Sequence, residues 1–343
     1  MDDSPSAGSA TPLPVRATVA SLARRAGVAA STVSRALRDD PRISPKVRER
    51  IVALAQEAGY TPNVLARTLV SGRSGLIGLV LGPVDNPFYA ELMQQTVAQS
   101  AARGWRLLLL HAGRGPIEDA TAEALLQYRV DGCVITSAEL SSRAAAICAA
   151  NQVPLVMLNR VAREHGSAVS CDNLAGAAAL AGLLVEKGYR RMAVIAGNPG
   201  TSTSTERVAG FAQALQAAGL PAPRVLPGGP GHPEGFAAGQ AIAALPLAER
   251  PDAVFGVSDI LAMGAIDALR EAGLSVPGDI AVVGMDGIGP AGRAPYRLTT
   301  VAQPLEAMVA RALDLLLARI GGTALPDEIV ALPGRLVERA STR

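Results

Sequence analysis

Apolar positions follow two regimes along the 343-residue chain, helical spacing up to about residue 60 and short unbroken runs from residue 75 onward. In the first regime, Leu22, Ala23 and Ala26 share one face of a short helix over 19–26. Thr18 is placed to cap it, and Gly27 to end it in the left-handed conformation. A second helix is predicted over 30–38, with Val33, Ala36 and Leu37 on one face. Ser31, Ser34, Arg35 and Arg38 fall at i, i+3, i+4 and i+7 on the other. A third starts with Ser44 as cap and Pro45 at its first position. Its apolar stripe is Val47, Ile51, Leu54, Ala55 and Ala58, and Gly59 closes it. Two short helices joined by a glycine turn form a helix-turn-helix candidate over 17–60, the third helix covering their apolar faces.

Residues 1–16 carry no periodicity and are rich in Ser, Pro and Ala, as a flexible tail would be. Over 61–74, Pro62 is placed to open a helix of about two turns, marginal in isolation, before the linker-like Gly72-Arg73-Ser74-Gly75.

From residue 75 strands alternate with helices. The runs predict strands over 75–81, 105–110, 132–136, 154–158, 192–196, 253–257 and 280–284. Helices are predicted over 88–103, 117–129, 143–150, 174–187, 206–218, 236–244 and 259–272. Strand runs without polar alternation belong in parallel sheets covered on both faces. About 270 residues of this pattern exceed one comfortable sheet, so two α/β lobes are expected. Open parallel sheets take ligands at the carboxyl ends of their strands. Those ends carry Asp85-Asn86-Pro87-Phe88-Tyr89, Asn159-Arg160, residues 198–207, Ser258-Asp259 and Asp286. Polar groups converging there with two aromatics suit a hydroxylated ligand.

Charge sharpens the division. Residues 16–73 hold 11 Lys+Arg against 4 Asp+Glu, whereas 74–343 hold 21 against 24. A basic head on a slightly acidic body is the footprint expected of a nucleic-acid contact. Three scattered cysteines without CxxC spacing read as reduced thiols, and the three histidines are equally dispersed, so no metal or cofactor is called for. No apolar run approaches membrane-spanning length and the start does not resemble a secretory leader, which places the chain in the cytoplasm. No GxSxG, GxxxxGK[ST] or post-strand GxGxxG is present, so no enzyme is expected.

The strings AGVAASTVSRAL (26–37), ISPKVRERI (43–51) and GYTPNVLARTL (59–69) resemble the DNA-binding head and hinge of the lactose-repressor (LacI/GalR) family. The strings IGLVLGPVDNPFYAEL (77–92), VPLVMLNR (153–160), ERVAGFAQAL (206–215) and PDAVFGVSDILAMGAIDALREAGLSVPGDIAVVGMD (251–286) are similar to its effector domain. The resemblance implies an all-α helix-turn-helix head on a two-lobed α/β body like that of periplasmic sugar-binding proteins. The first lobe would comprise about 75–172 and 301–328, the second about 173–300 and 329–340. It implies a homodimer on double-stranded operator DNA, contacted through Thr18, Ala30, Ser31, Thr32, Ser34 and Arg35. Asn63, Ala66, Arg67 and Leu69 would follow in a minor-groove hinge, Leu69 as the wedge. A small-molecule effector, a sugar or sugar acid, would be held by Phe88, Tyr89, Asn159, Asp172, Arg207, Ser258 and Asp286. The expected function is a repressor controlled by that effector. The alternative is a cytosolic solute-binding or sensor protein using the same body without operator control.

Structural alternatives exist for several of these. Phe88 and Tyr89 also suit a helix N-terminal core, Arg207 a structural ion pair, and Asp259 a helix cap; His232 reads as solvated. Departures from the family pattern include Ser21 where an Asp is usual, Leu37-Arg38 where Leu-Asn is usual, and Pro230 where purine-binding members carry an aromatic.

Overall fold

The computed structural model describes residues 17–60, 73–82, 85–112, 119–136, 142–161, 166–323 and 326–343. The chain forms two compact units, Met1–Ser74 and Gly75–Arg343.

In the first unit, α1 (Val19–Ala26), α2 (Ala30–Ala36) and α3 (Pro45–Glu57) close around Leu22, Ala26, Val33, Ala36 and Ile51. Helices this short are marginal alone, so burial of these shared faces supplies their stability. Thr18 and Ser21 form a reciprocal capping box on α1: Ser21 N–H donates to Thr18 Oγ1 at 3.1 Å, and Thr18 N–H to Ser21 Oγ at 2.8 Å. Ser21 therefore serves the helix start. Gly27, at φ 61°, turns the chain into α2. That helix stops at Ala36, two residues short of expectation, and the turn after it puts Asp39 at φ 60°. Ser44 precedes α3 but makes no side-chain cap bond. The third helix begins on Pro45 alone, whose fixed φ is already helical.

Among its described residues the second unit contains two six-stranded sheets. The first has the order β2-β1-β3-β4-β5-β11, from β1 (Leu76–Leu81), β2 (Arg106–His111), β3 (Gly132–Thr136), β4 (Leu155–Leu158), β5 (Ser167–Cys171) and β11 (Ile329–Leu332), all parallel. The second has the order β7-β6-β8-β9-β10-β12, from β6 (Met192–Ile195), β7 (Arg224–Leu226), β8 (Ala253–Gly256), β9 (Ala281–Asp286), β10 (Thr299–Ala302) and β12 (Arg335–Val337). It is parallel except for β12. The central strands β1, β3, β6, β8 and β9 are buried almost throughout, as expected of runs covered on both faces. Helices α4 (Pro87–Ala102), α5 (Asp119–Gln127), α6 (Ser142–Ala150) and α11 (Leu305–Ile320) go with the first sheet. Helices α7 (Asn173–Glu186), α8 (Ser202–Ala217), α9 (His232–Ala243) and α10 (Asp259–Glu271) go with the second.

Two expected lobe boundaries are corrected. Thr299–Ala302 pairs with β9, so residues 301–302 belong to the second lobe, while Ile329–Leu332 pairs with β5 and belongs to the first. The chain thus passes between lobes near Asp172, near Gln303 and at Pro333-Gly334. Sequence periodicity cannot see which sheet edge a four-residue strand joins.

Candidate functional site

One cavity of the second unit measures about 370 Å³ and lies between the two sheets at the carboxyl ends of β1, β4, β6, β8 and β9. This is where dipoles and loops of open parallel sheets converge, and the volume falls in the roughly 300–1,000 Å³ span of small-molecule sites.

One wall comes from the first lobe. After β1, the Asn86 side chain caps α4 by accepting from Phe88 N–H at 3.0 Å, and Pro87 opens the helix. This start turns Phe88 and Tyr89 into the cavity edge to face, ring centroids 5.4 Å apart and planes at 78°. Phe88 both lines the cavity and joins the core. Asn159, at the end of β4, is 4% exposed and held at φ 71°; its Nδ2 lies 3.5 Å from the Tyr89 hydroxyl. Asn tolerates the left-handed region better than most residues, yet strain of this sort gathers at functional sites. Burial pushes the Tyr89 hydroxyl pKa up, so it stays a neutral donor and acceptor.

The other wall centres on Arg207, 4% exposed on α8. Its Nε donates to Asn173 Oδ1 at 2.8 Å. Its Nη1 donates to the Val257 carbonyl at 2.6 Å and to Asp286 Oδ1 at 2.9 Å. Asn173 is oriented in turn by donating through Nδ2 to Glu206 at 2.9 Å. Asp286, at φ 143°, also accepts from Gln303 Nε2 at 2.8 Å, and Asn86 Nδ2 approaches its other oxygen at 3.4 Å. Asn86 and Gln303 thus tie the first lobe and a crossover to the second-lobe carboxylate. A buried pair with these extra hydrogen bonds is costly to disrupt, and its free edges present a donor fork beside an acceptor.

Six of the seven expected effector residues line the cavity: Phe88, Tyr89, Asn159, Arg207, Ser258 and Asp286. Asp172 does not. Its Oδ1 accepts from Ala175 N–H at 2.9 Å as the cap of α7, and its own N–H donates to Leu332 O at the lobe crossover. A carboxylate one residue before a helix is drawn to the orphan amides of the first turn. Asp259 is not a cap either. Ser258 takes the cap position, and Asp259 is fully buried, accepting from Thr300 Oγ1 at 2.5 Å, Gly287 N–H at 2.7 Å and Ile288 N–H at 2.9 Å. Burial, and secondarily the nearby Asp286, pushes its carboxyl up to about 7.

The stretch expected as a hydroxyl-rich loop, 198–207, is helical from Ser202, because Thr201 caps α8 four residues earlier than the apolar pattern suggests. Thr203 and Ser204 therefore enter the cavity from a helix N-terminus. Asn86, Arg160 and Thr201 line it as well. The signal for Asn86 is its place directly before Pro87, where a helix start needs a cap. His232, expected in solvent, is 2.8 Å from Asp267, whose carboxylate also accepts from the Tyr296 hydroxyl at 2.9 Å.

In the head, Thr18, Ala30, Ser31 and Arg35 are exposed, and Thr32 and Ser34 are half-buried. On α2 the exposed Ser31 and Arg35 stand opposite buried Val33 and Ala36, which leaves a narrow polar face for a partner. Arg38 bends back to donate to Ser34 O at 3.0 Å. Asn63, Ala66, Arg67 and Leu69 lie outside the described residues. Among the described residues no helix is long and apolar enough to cross a membrane.

Comparison with known proteins finds relatives of both units. Residues 18–63 match the bacterial regulatory proteins of the lacI family, and residues 181–342 match the periplasmic binding protein-like domain. The ribose operon repressor of Escherichia coli (strain K12) is 33% identical over 330 residues, covering 95% of this chain and 99% of the relative. The regulator CelR of Thermobifida fusca is 33% identical, with 95% and 98% covered. A solved structure of the lac repressor dimer bound to operator and the anti-inducer ONPF superposes with a TM-score of 0.85 at 26% identity, covering 96% of this chain and 99% of that one. The CelR–cellobiose complex superposes with 0.69 at 31% identity, covering 95% and 100%. With a helix-turn-helix head, a two-lobed α/β body and relatives matched along nearly their whole length, the chain belongs to the lacI family of bacterial regulatory proteins.

Proposed function

We propose that this protein is a cytoplasmic homodimeric repressor whose operator affinity is set by a polyhydroxylated small molecule bound in the cavity of its body. The observation that carries the effector half is the buried Arg207–Asp286 pair at the strand ends, facing the Phe88–Tyr89 edge across a 370 Å³ cavity. A guanidinium fork beside a carboxylate matches vicinal hydroxyls, which donate to one and accept from the other, and an aromatic edge packs the C–H face of a sugar ring. Pro230 lines the second-lobe side, and among the described residues no aromatic plane lines that side as a stacked purine would require.

The operator half rests on the head. Ser31, Thr32, Ser34 and Arg35, with Ala30 and Thr18 flanking, form the surface assigned to the major groove and its phosphates. Asn63, Ala66, Arg67 and Leu69 are assigned to the central minor groove, with Leu69 as the apolar wedge. Rotation of one lobe against the other on ligand binding links the two sites with a coupling of about 1–3 kcal/mol.

The test is a gel shift of the purified chain on the DNA upstream of its own gene, with and without a panel of sugars. A retarded band that a sugar abolishes or strengthens is expected. Absence of any shift under all conditions refutes operator control and leaves the sensor reading. Related regulators bind cellobiose and ribose in solved complexes, which sets the first members of the panel.

A further inference from the structure

Among the described residues, the cavity is lined by two guanidinium groups, Arg160 and Arg207, and two carboxylates, Asp85 and Asp286. Arg207 and Asp286 neutralise each other at 2.9 Å. Arg160, two residues after β4, lines the same cavity and has no carboxylate within ion-pair distance among the described residues; its Nε is buried without a partner among them. Asp85 is also in the lining but is exposed at its edge. The residue beside Arg160 is an amide: Asn159 is 4% exposed, and its Oδ1 is likewise buried and unpartnered among the described residues. An Asp there would have balanced Arg160, whereas the Asn supplies a lone pair and no charge. Asp259, the next buried carboxylate, is spent on Thr300 and on two backbone amides behind the wall.

The second lobe brings further positive potential to this end. Val161 N–H donates to Ser202 Oγ at 3.2 Å, which places Arg160 next to the first turn of α8. That sixteen-residue helix has no acidic side chain in its first turn, and Thr203 and Ser204 from the turn line the cavity. A helix N-terminus and a guanidinium with no carboxylate in ion-pair distance among the described residues, facing one space, favour an anion there.

We infer that the effector is an anionic polyhydroxylated molecule, a sugar acid or sugar phosphate, with its hydroxyls at the Arg207–Asp286 pair and its anionic group against Arg160 and the start of α8. This rests on the effector reading given above and narrows it to a charge class. Arg160 of the first lobe and the start of α8 in the second read the charge, and the Arg207–Asp286 pair of the second lobe reads the hydroxyls.

Calorimetry on the full chain with matched pairs tests this: D-glucose against D-gluconate and D-glucuronate, and D-ribose against D-ribose 5-phosphate. A charged hydrogen bond contributes about 1.5–3 kcal/mol, which converts to roughly 10–100-fold in affinity. In at least one pair the anion is expected to bind that much tighter than its neutral partner. Arg160→Gln is expected to erase the preference. Asn159→Asp, nearly isosteric, supplies the missing carboxylate and is expected to shift the ratio toward the neutral sugar, and it decides the matter if Arg160→Gln fails to fold. Carboxylate against phosphate preference follows from which pair shows the larger ratio. Neutral sugars binding as well as their anionic partners, with the ratio unmoved in Asn159→Asp, overturns the anion assignment while the sugar-effector reading stands. Binding by no member of any pair overturns both.

Discussion

Arg207→Ala is the substitution whose consequences the structure specifies most fully. The residue is 4% exposed and its side chain closes three bonds, to Asn173, the Val257 carbonyl and Asp286. These lie on α7, after β8 and at the end of β9, so one guanidinium pins three elements of the second lobe. Removing it strands Asp286, 7% exposed, with Gln303 and a long contact to Asn86 as its remaining donors. Breaking a buried pair from one side typically costs about 3–5 kcal/mol, because the surviving charge stays desolvated. In a unit of this size 1 kcal/mol corresponds to roughly 2–4 °C, so a fall of about 10 °C in the melting of the body is expected. Differential scanning calorimetry of the full chain reads this, since the two compact units can melt separately. Asp286→Asn should also destabilise by leaving the guanidinium unpaired. The double variant Arg207→Ala/Asp286→Asn should then cost less than the sum of the singles by about 0.5–3 kcal/mol, the usual span for groups in one network. Effector binding should be lost in all three. A single-variant cost under about 1 kcal/mol would falsify the claim that this pair is buried and interdependent, and so would strict additivity.

Three further outcomes are expected. Asp259 has a folded pKa of about 7, raised by burial, against an unfolded value near 3.8. The folded state then holds a proton that the unfolded state has lost, so stability falls as pH rises from about 4 to 7. Asp259→Asn should flatten that slope in melting temperature against pH, and an unchanged slope rules Asp259 out as its source. At Gly264 an added Cβ would lie 2.3 Å from the His232 carbonyl oxygen and 2.7 Å from Phe236 N, where α9 crosses α10. Gly264→Ala should cost about 1–3 kcal/mol by forcing these backbones apart, and an unchanged urea midpoint contradicts the close approach. On α2, Arg35→Ala should weaken operator binding by about 1–3 kcal/mol if its fork reads a base edge. Equal losses on operator and random DNA, compared by titration, would assign it to phosphate instead.

What the chain determined locally is plain in the head. Thr18, Gly27 and the i, i+3, i+4 spacing specify α1 and α2 because caps and apolar stripes act within a few residues. The buried runs of β1, β3, β6, β8 and β9 and the strand-end residues Phe88, Tyr89, Arg207 and Asp286 were legible for the same reason. The short strands β5, β7, β10, β11 and β12 and the helix α11 were not among the elements the pattern predicts, and Ser202–Thr205 was expected to be loop rather than the start of α8. Three- to five-residue strands take their identity from the neighbour they pair with, and the exchange of β10 and β11 between the expected lobes follows from pairing with β9 and β5. Charge balance was also decided in three dimensions. Asp172 and Asp286 look alike as strand-end carboxylates, yet one caps α7 and the other meets Arg207 across 79 residues. The sequence by itself determined which residues can carry charge and hydroxyls to a strand end. The tertiary structure decided which charges neutralise each other, because Coulombic pairing depends on separation in space and on burial, neither of which is local in the chain.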